Sequence, residues 1–418
     1  MEYKNYNFHA FNLYTVKTDR FKNCHLEIVF RNKAKKEEIM FRKFLIELLT
    51  FNTKKYNSQK ELKIHLEDLY DTVLYSLLSR VGSCFFTTYC IDFLNPKYCE
   101  EGYLDEVLNL AIESLYNPNV ENNQFDEQSF NIIKNNILTE IQSSKENIKG
   151  SAYRRLFELM DENSYLSYNM LGTKEDVEKV TPKNLYEFYQ KMLNSDYCDI
   201  YIIGNLDMDY VASYFEKYFQ QRIIKTEELP LYYKVQPRKK INVVKEQKNI
   251  AQGNLLVGCN IINSTEENRD IIAYLYNFIL GAGSLDTKLS TYLRQDNSLC
   301  YTVNSIYQKY DSSIIIYAGI DPNNYEKALK LIKKSLKEMT INITDEELEN
   351  AKKSLSTSLN MIIDNPSSII NNYLFRNVAN LKTVEERLEQ LKNITVDQIK
   401  TYAKNVKINT VYMVSGVE

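Results

Sequence analysis

The sequence predicts two similar α+β domains, each a mainly antiparallel sheet covered by helices, over residues 1–220 and 239–418. Three observations carry this prediction. An ordered internal repeat spans the chain, its strand-forming stretches are joined by short polar turns, and a charged segment with Pro230 and Pro237 separates the halves as a linker over 221–238.

The repeat has a spacing slightly above two hundred residues. Residues 180–204 place Thr181, Leu185 and Phe188 where residues 394–416 place Thr395, Ile399 and Tyr402. In each copy a threonine cap opens an amphipathic helix, followed by a β-rich run ending in Gly204 or Gly416. A second pair agrees. Helices are expected to run from Phe125 to about Ser144 and from Ile343 to about Met361. Each is preceded by a strand, a loop with Asn95-Pro96 or Asp321-Pro322, and a helix (Leu104–Leu115, Tyr325–Met339). Strands rich in Ile, Val, Tyr, Phe and Thr are expected at Cys24–Phe30, Thr72–Ser79, Ser83–Asp92, Ile241–Val244, Asn254–Ile261, Tyr301–Tyr307 and Ser312–Ile320. Short turns at Arg80–Gly82 and Gln308–Asp311 make antiparallel hairpins of two pairs, and helices are expected over one face of each sheet.

Composition narrows the function. The net charge is −3, from 52 Lys+Arg against 55 Asp+Glu, and the basic runs Lys33–Lys36 and Arg238–Lys240 are short. Nucleic-acid binders concentrate basic surface, so no nucleic-acid partner is expected. Glycine, 11 residues in 418, is far below its usual share of about 7%. Gly281-Ala282-Gly283-Ser284 before Lys288 lacks the ending of a phosphate loop and reads as a turn between helices. Seven cysteines without C-x-x-C spacing, mostly in apolar runs, suit reduced buried thiols. No window approaches the roughly 18 apolar residues of a membrane span, and Met1–Arg20 has no signal-peptide core, so a cytoplasmic chain without a membrane partner is expected. The serine pairs Ser143-Ser144 and Ser367-Ser368 have no histidine nearby and read as helix-end or loop residues. Only His9, His25 and His65 offer imidazole, and any histidine-based metal site must draw on distant parts of the chain.

On these strings the chain resembles the insulinase/pitrilysin (inverzincin) superfamily of zinc peptidases, with mitochondrial processing peptidase subunits the nearest size class. The resemblance covers nearly the whole chain. Its most specific strings are Leu171-Gly172-Thr173, Lys288–Arg294 and Leu299–Val303. Active members carry H-x-x-E-H on an early helix, where two imidazoles on one face bind zinc and the glutamate is the general base. Here the matching helix, Phe41–Phe51, has Phe44 and Leu48 at the ligand positions, Glu47 at the base position, and Glu140 at the later ligand position. Phe44 and Leu48 have no donor atoms, and Glu140 alone holds no zinc. His65, among polar positions of an amphipathic helix, reads as solvated and not as a replacement ligand. Glu47 is expected to face solvent or pair with Arg42 or Lys43, and Glu140 to lie on a polar helix face.

Arg294 and Tyr301 match the pair that, in the family, reaches toward the scissile peptide. A guanidinium offers a planar fork of donors, and a tyrosine hydroxyl can donate to a developing oxyanion. The plainer alternative, a surface helix charge and a strand-starting tyrosine, is also open. The resemblance implies a non-catalytic subunit of a heterodimeric peptidase. Its partner is a histidine-motif homologue, or a second copy in a homodimer. Zinc is expected only in the active partner, and the substrate is a peptide or unfolded polypeptide added as a strand to a sheet edge. A narrower resemblance is to bacterial insulinase-like proteins associated with 5-aminopentanol modification of elongation factor P, which come as an active and an inactive chain. Two other readings are a structural scaffold, as in the core subunits of the respiratory cytochrome bc complex, and an independent peptidase with an unconventional metal site.

Overall fold

The computed structural model describes residues 1–220, 229–233, 237–283 and 286–416, so most of the 221–238 segment expected as a linker lies outside the described residues, as do Ser284 and Leu285. The chain divides into two compact units.

The first unit is built on strands β1 (Glu2–Asn7), β2 (Asn12–Lys17), β3 (Asn23–Lys33), β4 (Val73–Val81) and β5 (Cys84–Leu94), a short ribbon of β6 (Val120–Glu121) and β7 (Gln124–Phe125), and β8 (Tyr197–Gly204). Its sheet runs β1-β2-β8-β3-β5-β4, antiparallel except where β2 meets β8. The second unit contains β9 (Asn242–Gln247), β10 (Gly253–Ile261), β11 (Cys300–Gln308), β12 (Ser313–Ile320) and β13 (Val406–Ser415), in the order β11-β12-β10-β13-β9. Reading β9-β13-β10-β12-β11 against β2-β8-β3-β5-β4 gives the same order, with one parallel pair in the same place. β1 is an added edge strand. The sequence repeat is therefore a repeat of topology.

Local chemistry fixes the repeated elements. Thr181 and Thr395 close capping boxes with Asn184 and Gln398 on the Pro182–Ser195 and Val396–Ala403 helices. Leu185 and Ile399 on those helices are fully buried, and Phe188 and Tyr402 are buried beside them. Asn95 and Asp321 cap short 3₁₀ turns through Pro96–Tyr98 and Pro322–Asn324, which lead into the Tyr103–Tyr116 and Tyr325–Ile341 helices. Gly82, at φ +55°, supplies the left-handed residue of the β4–β5 hairpin, where Val81 pairs with Cys84.

Two expectations need correction. Helices do not cover only one face of the second sheet. β10 and β12 are buried at every residue, the pattern of strands covered on both sides. One face, with Leu255, Val257 and Ile316, packs into the large helical core. The other, with Leu256, Ile315 and Tyr412, receives Ala152, Leu156 and Met160 of the Ile148–Met160 helix. The units are consequently not sequential halves divided near 220–239. Residues 144–169 belong to the second unit, and residues 365–374 belong to the first, where Tyr373 stacks on Tyr3 with ring centroids 4.2 Å apart. An apolar face of the second sheet is completed by a helix from the first half of the sequence, and in the first unit Tyr3 of β1 is stacked by a tyrosine from the second half.

All seven cysteines are free, and six are buried. Among the described residues no helix is long and apolar enough to cross a membrane.

Candidate functional site

The Ile39–Leu48 helix, which bears the degenerate motif, is held from beneath. Arg42 is 1% exposed and donates to Asp196 (2.7 Å), Thr87 (3.1 Å) and Glu38 (3.0 Å). Lys191 reaches Glu38 at 2.9 Å. Two buried carboxylates thus meet a buried guanidinium, so the charge is paired before it is desolvated.

At the first ligand position, Phe44 is fully buried and stacks on Phe130 of the Glu127–Ser143 helix at 4.9 Å and 15°. At the second, Leu48 is 3% exposed. Glu140 is claimed by the buried Lys43, whose Nζ lies 2.7 Å from Oε2. Glu47 is exposed and has no ion-pair partner among the described residues. Partial burial of its carboxyl raises its pKa, Lys43 opposes the rise, and the Glu140 charge adds to it. The expected choice for Glu47 between solvent and a basic partner resolves to solvent, because Arg42 and Lys43 are engaged elsewhere. These residues do not fit a zinc ion. An aromatic pair fills the ligand side, and an ammonium supplies the positive charge that the remaining carboxylate needs.

His65 differs from its expected solvated state. It is half-buried and stacks on Tyr56 at 4.3 Å, and burial lowers its pKa. Among the described residues no hydrogen bond draws it to the Phe44 helix. Ser143 donates to the Glu140 carbonyl, and the Ser367 N–H donates to the capping Asn365 Oδ1, so both serine pairs sit at helix ends as expected.

Arg294 and Tyr301 open onto the same cleft. Both line one open cleft of about 550 Å³ in the second unit, together with Gln252, Cys300 and Asp321. Arg294 stands on a wide π turn, Thr291–Gln295, that continues the Lys288–Ser290 helix. The chain then reverses through Ser298, at φ +49°, whose N–H donates to the Arg294 carbonyl at 3.0 Å. β11 starts with a bulge. Cys300 pairs with Ile320 and Val303 with Ala318, which leaves one extra residue between them. Such a bulge re-aims side chains, and here Tyr301 is 87% exposed. Gly281 explains the glycine turn. A Cβ there would meet Leu289 Cδ1 at 2.6 Å and the Ser305 backbone nitrogen at 3.0 Å, so glycine lets the helix approach β11 closely.

Burial raises the Cys300 thiol to about 11, against the opposing charge of Arg294, so it stays protonated at neutral pH. Asp321 is occupied capping its own turn, accepting from the Asn323 N–H at 2.9 Å. The cleft therefore offers a cation and a phenol hydroxyl without an activated nucleophile among its side chains. It can bind and polarise a carbonyl or carboxylate.

Residues 179–355 match the protein family described as Peptidase M16 inactive domain. The chain is similar to M16 peptidases over that span, less than half of its length, and the two histidine positions of the zinc motif hold Phe44 and Leu48. It is 25% identical over 417 residues, 96% of this chain and 95% of the relative, to a probable inactive metalloprotease of Bacillus subtilis strain 168, YmfF. A conserved protein from Enterococcus faecalis V583 has the same fold, with a TM-score of 0.93, 22% identity and 99% of both chains covered. A peptidase M16 inactive domain from Pseudomonas fluorescens matches with a TM-score of 0.81 at 16% identity, over 100% of this chain and 99% of that one. The insulinase/pitrilysin resemblance and the α+β class are borne out. At this site the signal missed from sequence was the pairing of Lys43 with Glu140, since nothing local joins a lysine of one helix to a carboxylate on another.

Proposed function

We propose that this chain is the non-catalytic subunit of a two-chain peptidase, binding and orienting peptide for a histidine-motif partner. One observation carries the reading: the metal positions have been absorbed into the core, while Arg294 and Tyr301 share an open cleft. A subunit kept only for its shape has no need to hold a phenol in solvent beside a guanidinium. In the proposed role Arg294 engages a substrate carbonyl or carboxylate, and Tyr301 donates to the oxyanion formed at the partner's metal.

Co-expression with a histidine-motif homologue tests this. Peptide cleavage should require both chains and fall about 10²–10³-fold with Tyr301→Phe, the loss typical of one oxyanion donor. Full activity from the homologue alone would sink the proposal. Unchanged activity of the pair with Arg294→Ala would instead favour a scaffold role.

A further inference from the structure

A second cluster of chemistry-bearing residues lies on the first sheet, with no donor on the Ile39–Leu48 helix. The antiparallel register of β3 and β5 sets His25 opposite Asp92 and Glu27 opposite Cys90. Alternation along each strand puts all four on one face. His25 Nε2 lies 2.8 Å from Glu27 Oε1, and His25 Nδ1 lies 2.5 Å from Asp92 Oδ1. The ligand atoms of His25, Glu27 and Cys90 all lie within 4.8 Å of one another. Among the described residues this is the one group of three such donors close enough to share an ion.

We propose that His25, Glu27 and Cys90 bind a divalent metal of the zinc class, with Asp92 as the positioning residue that orients His25. The donor set is one imidazole, one carboxylate and one thiolate, which suits a borderline ion such as Zn²⁺ better than the oxygen-seeking Mg²⁺ or Ca²⁺. Tetrahedral zinc, with bonds of about 2.0–2.3 Å, holds its ligand atoms about 3–4 Å apart, so modest side-chain rotation closes the set. Asp92 on Nδ1 leaves Nε2 for the metal, the usual carboxylate–histidine–metal arrangement. His25 and Cys90 are each 1% exposed, while the Asp92 side chain is 41% exposed. The site is thus shielded on the sheet side and reachable from solvent on the other. A water takes the fourth position. Uptake expels the Cys90 thiol proton and any Nε2 proton to solvent, leaving a metal bridge between two core strands. This departs from the expectation that the chain carries no metal of its own.

The rival occupant is a proton. Without metal, the same imidazole donates from both nitrogens to the two carboxylates. Titration of the chelator-stripped full chain with Zn²⁺ and with Co²⁺ separates the two. One equivalent of Zn²⁺ should bind and raise the unfolding temperature, and Co²⁺ should give a thiolate charge-transfer band. Cys90→Ser should abolish that band, Glu27→Gln should weaken uptake at least about tenfold, and Asp92→Asn about 10–100-fold. A cobalt complex of the unsubstituted chain without the thiolate band overturns the proposal whether or not the variants fold. So does uptake that survives Cys90→Ser but is lost with Glu140→Gln. That result would assign the metal to the motif helix and revive an unconventional peptidase.

Discussion

The two units treat the positions marked by the family resemblance in opposite ways. In the first, positions 44 and 48 of the motif helix hold a fully buried phenylalanine and a leucine 3% exposed. In the second, Tyr301 is thrown 87% into solvent by a bulge, beside Arg294. Once a metal-binding helix loses its imidazoles, its inward positions are simply core positions, and apolar side chains gain about 25 cal/mol for each Å² they bury. A surface cleft has no such fallback. The polar groups there are kept in place by backbone features, a π turn, a left-handed residue and a bulge, that packing alone does not require.

This contrast can be broken most directly at Phe44. Phe44→Ala should cost about 3–5 kcal/mol in denaturant unfolding, because the cavity left against Phe130 cannot be filled by water-exposed groups. A loss under about 1 kcal/mol would mean that the site is still a plastic pocket. The next largest effect is expected at Gly281→Ala, about 1–3 kcal/mol of overpacking against Leu289 and Ser305, read as a lowered unfolding temperature. An unchanged temperature would show that the helix is free to withdraw from β11. The buried pairing under the motif helix sets an acid limb. Burial alone would raise the pKa of Glu38, but Lys191 and Arg42 bring it below the ordinary 4.5. Its stabilisation is present above about 4.5 and is lost as the pH falls through the lower folded value. Unfolding temperature against pH should therefore decline more gently on the acid side in Glu38→Gln than in the parent. The smallest effect belongs to Tyr301→Ala, under about 0.5 kcal/mol in stability, since an exposed side chain surrenders no packing. A larger loss would make Tyr301 a structural residue and remove the contrast.

Much of the fold was legible. Thr181 with Asn184 and Thr395 with Gln398 are separated by three residues, so caps and helix starts could be read locally, and the seven expected strands all have counterparts. β1 and β2 were not legible, since their aromatic and polar residues lack the apolar runs that mark the other strands. The exchange of residues 144–169 and 365–374 was not legible either. The amphipathic Ile148–Met160 helix advertises an apolar face without naming the sheet that will cover it.

For the candidate site, the amino-acid sequence by itself determined what is chemically missing. No fold can make Phe44 or Leu48 donate an electron pair to a metal. It also determined the seven-residue step from Arg294 to Tyr301. Tertiary structure decided everything that depends on residues far apart in the chain. It gave Glu140 to Lys43 and left Glu47 in water. It brought His25 and Glu27 to Cys90 and Asp92 through the register of two strands. The physical reason is range. Caps and turns are settled within a few residues of backbone, whereas ion pairs and shared donors exist only after distant elements have packed.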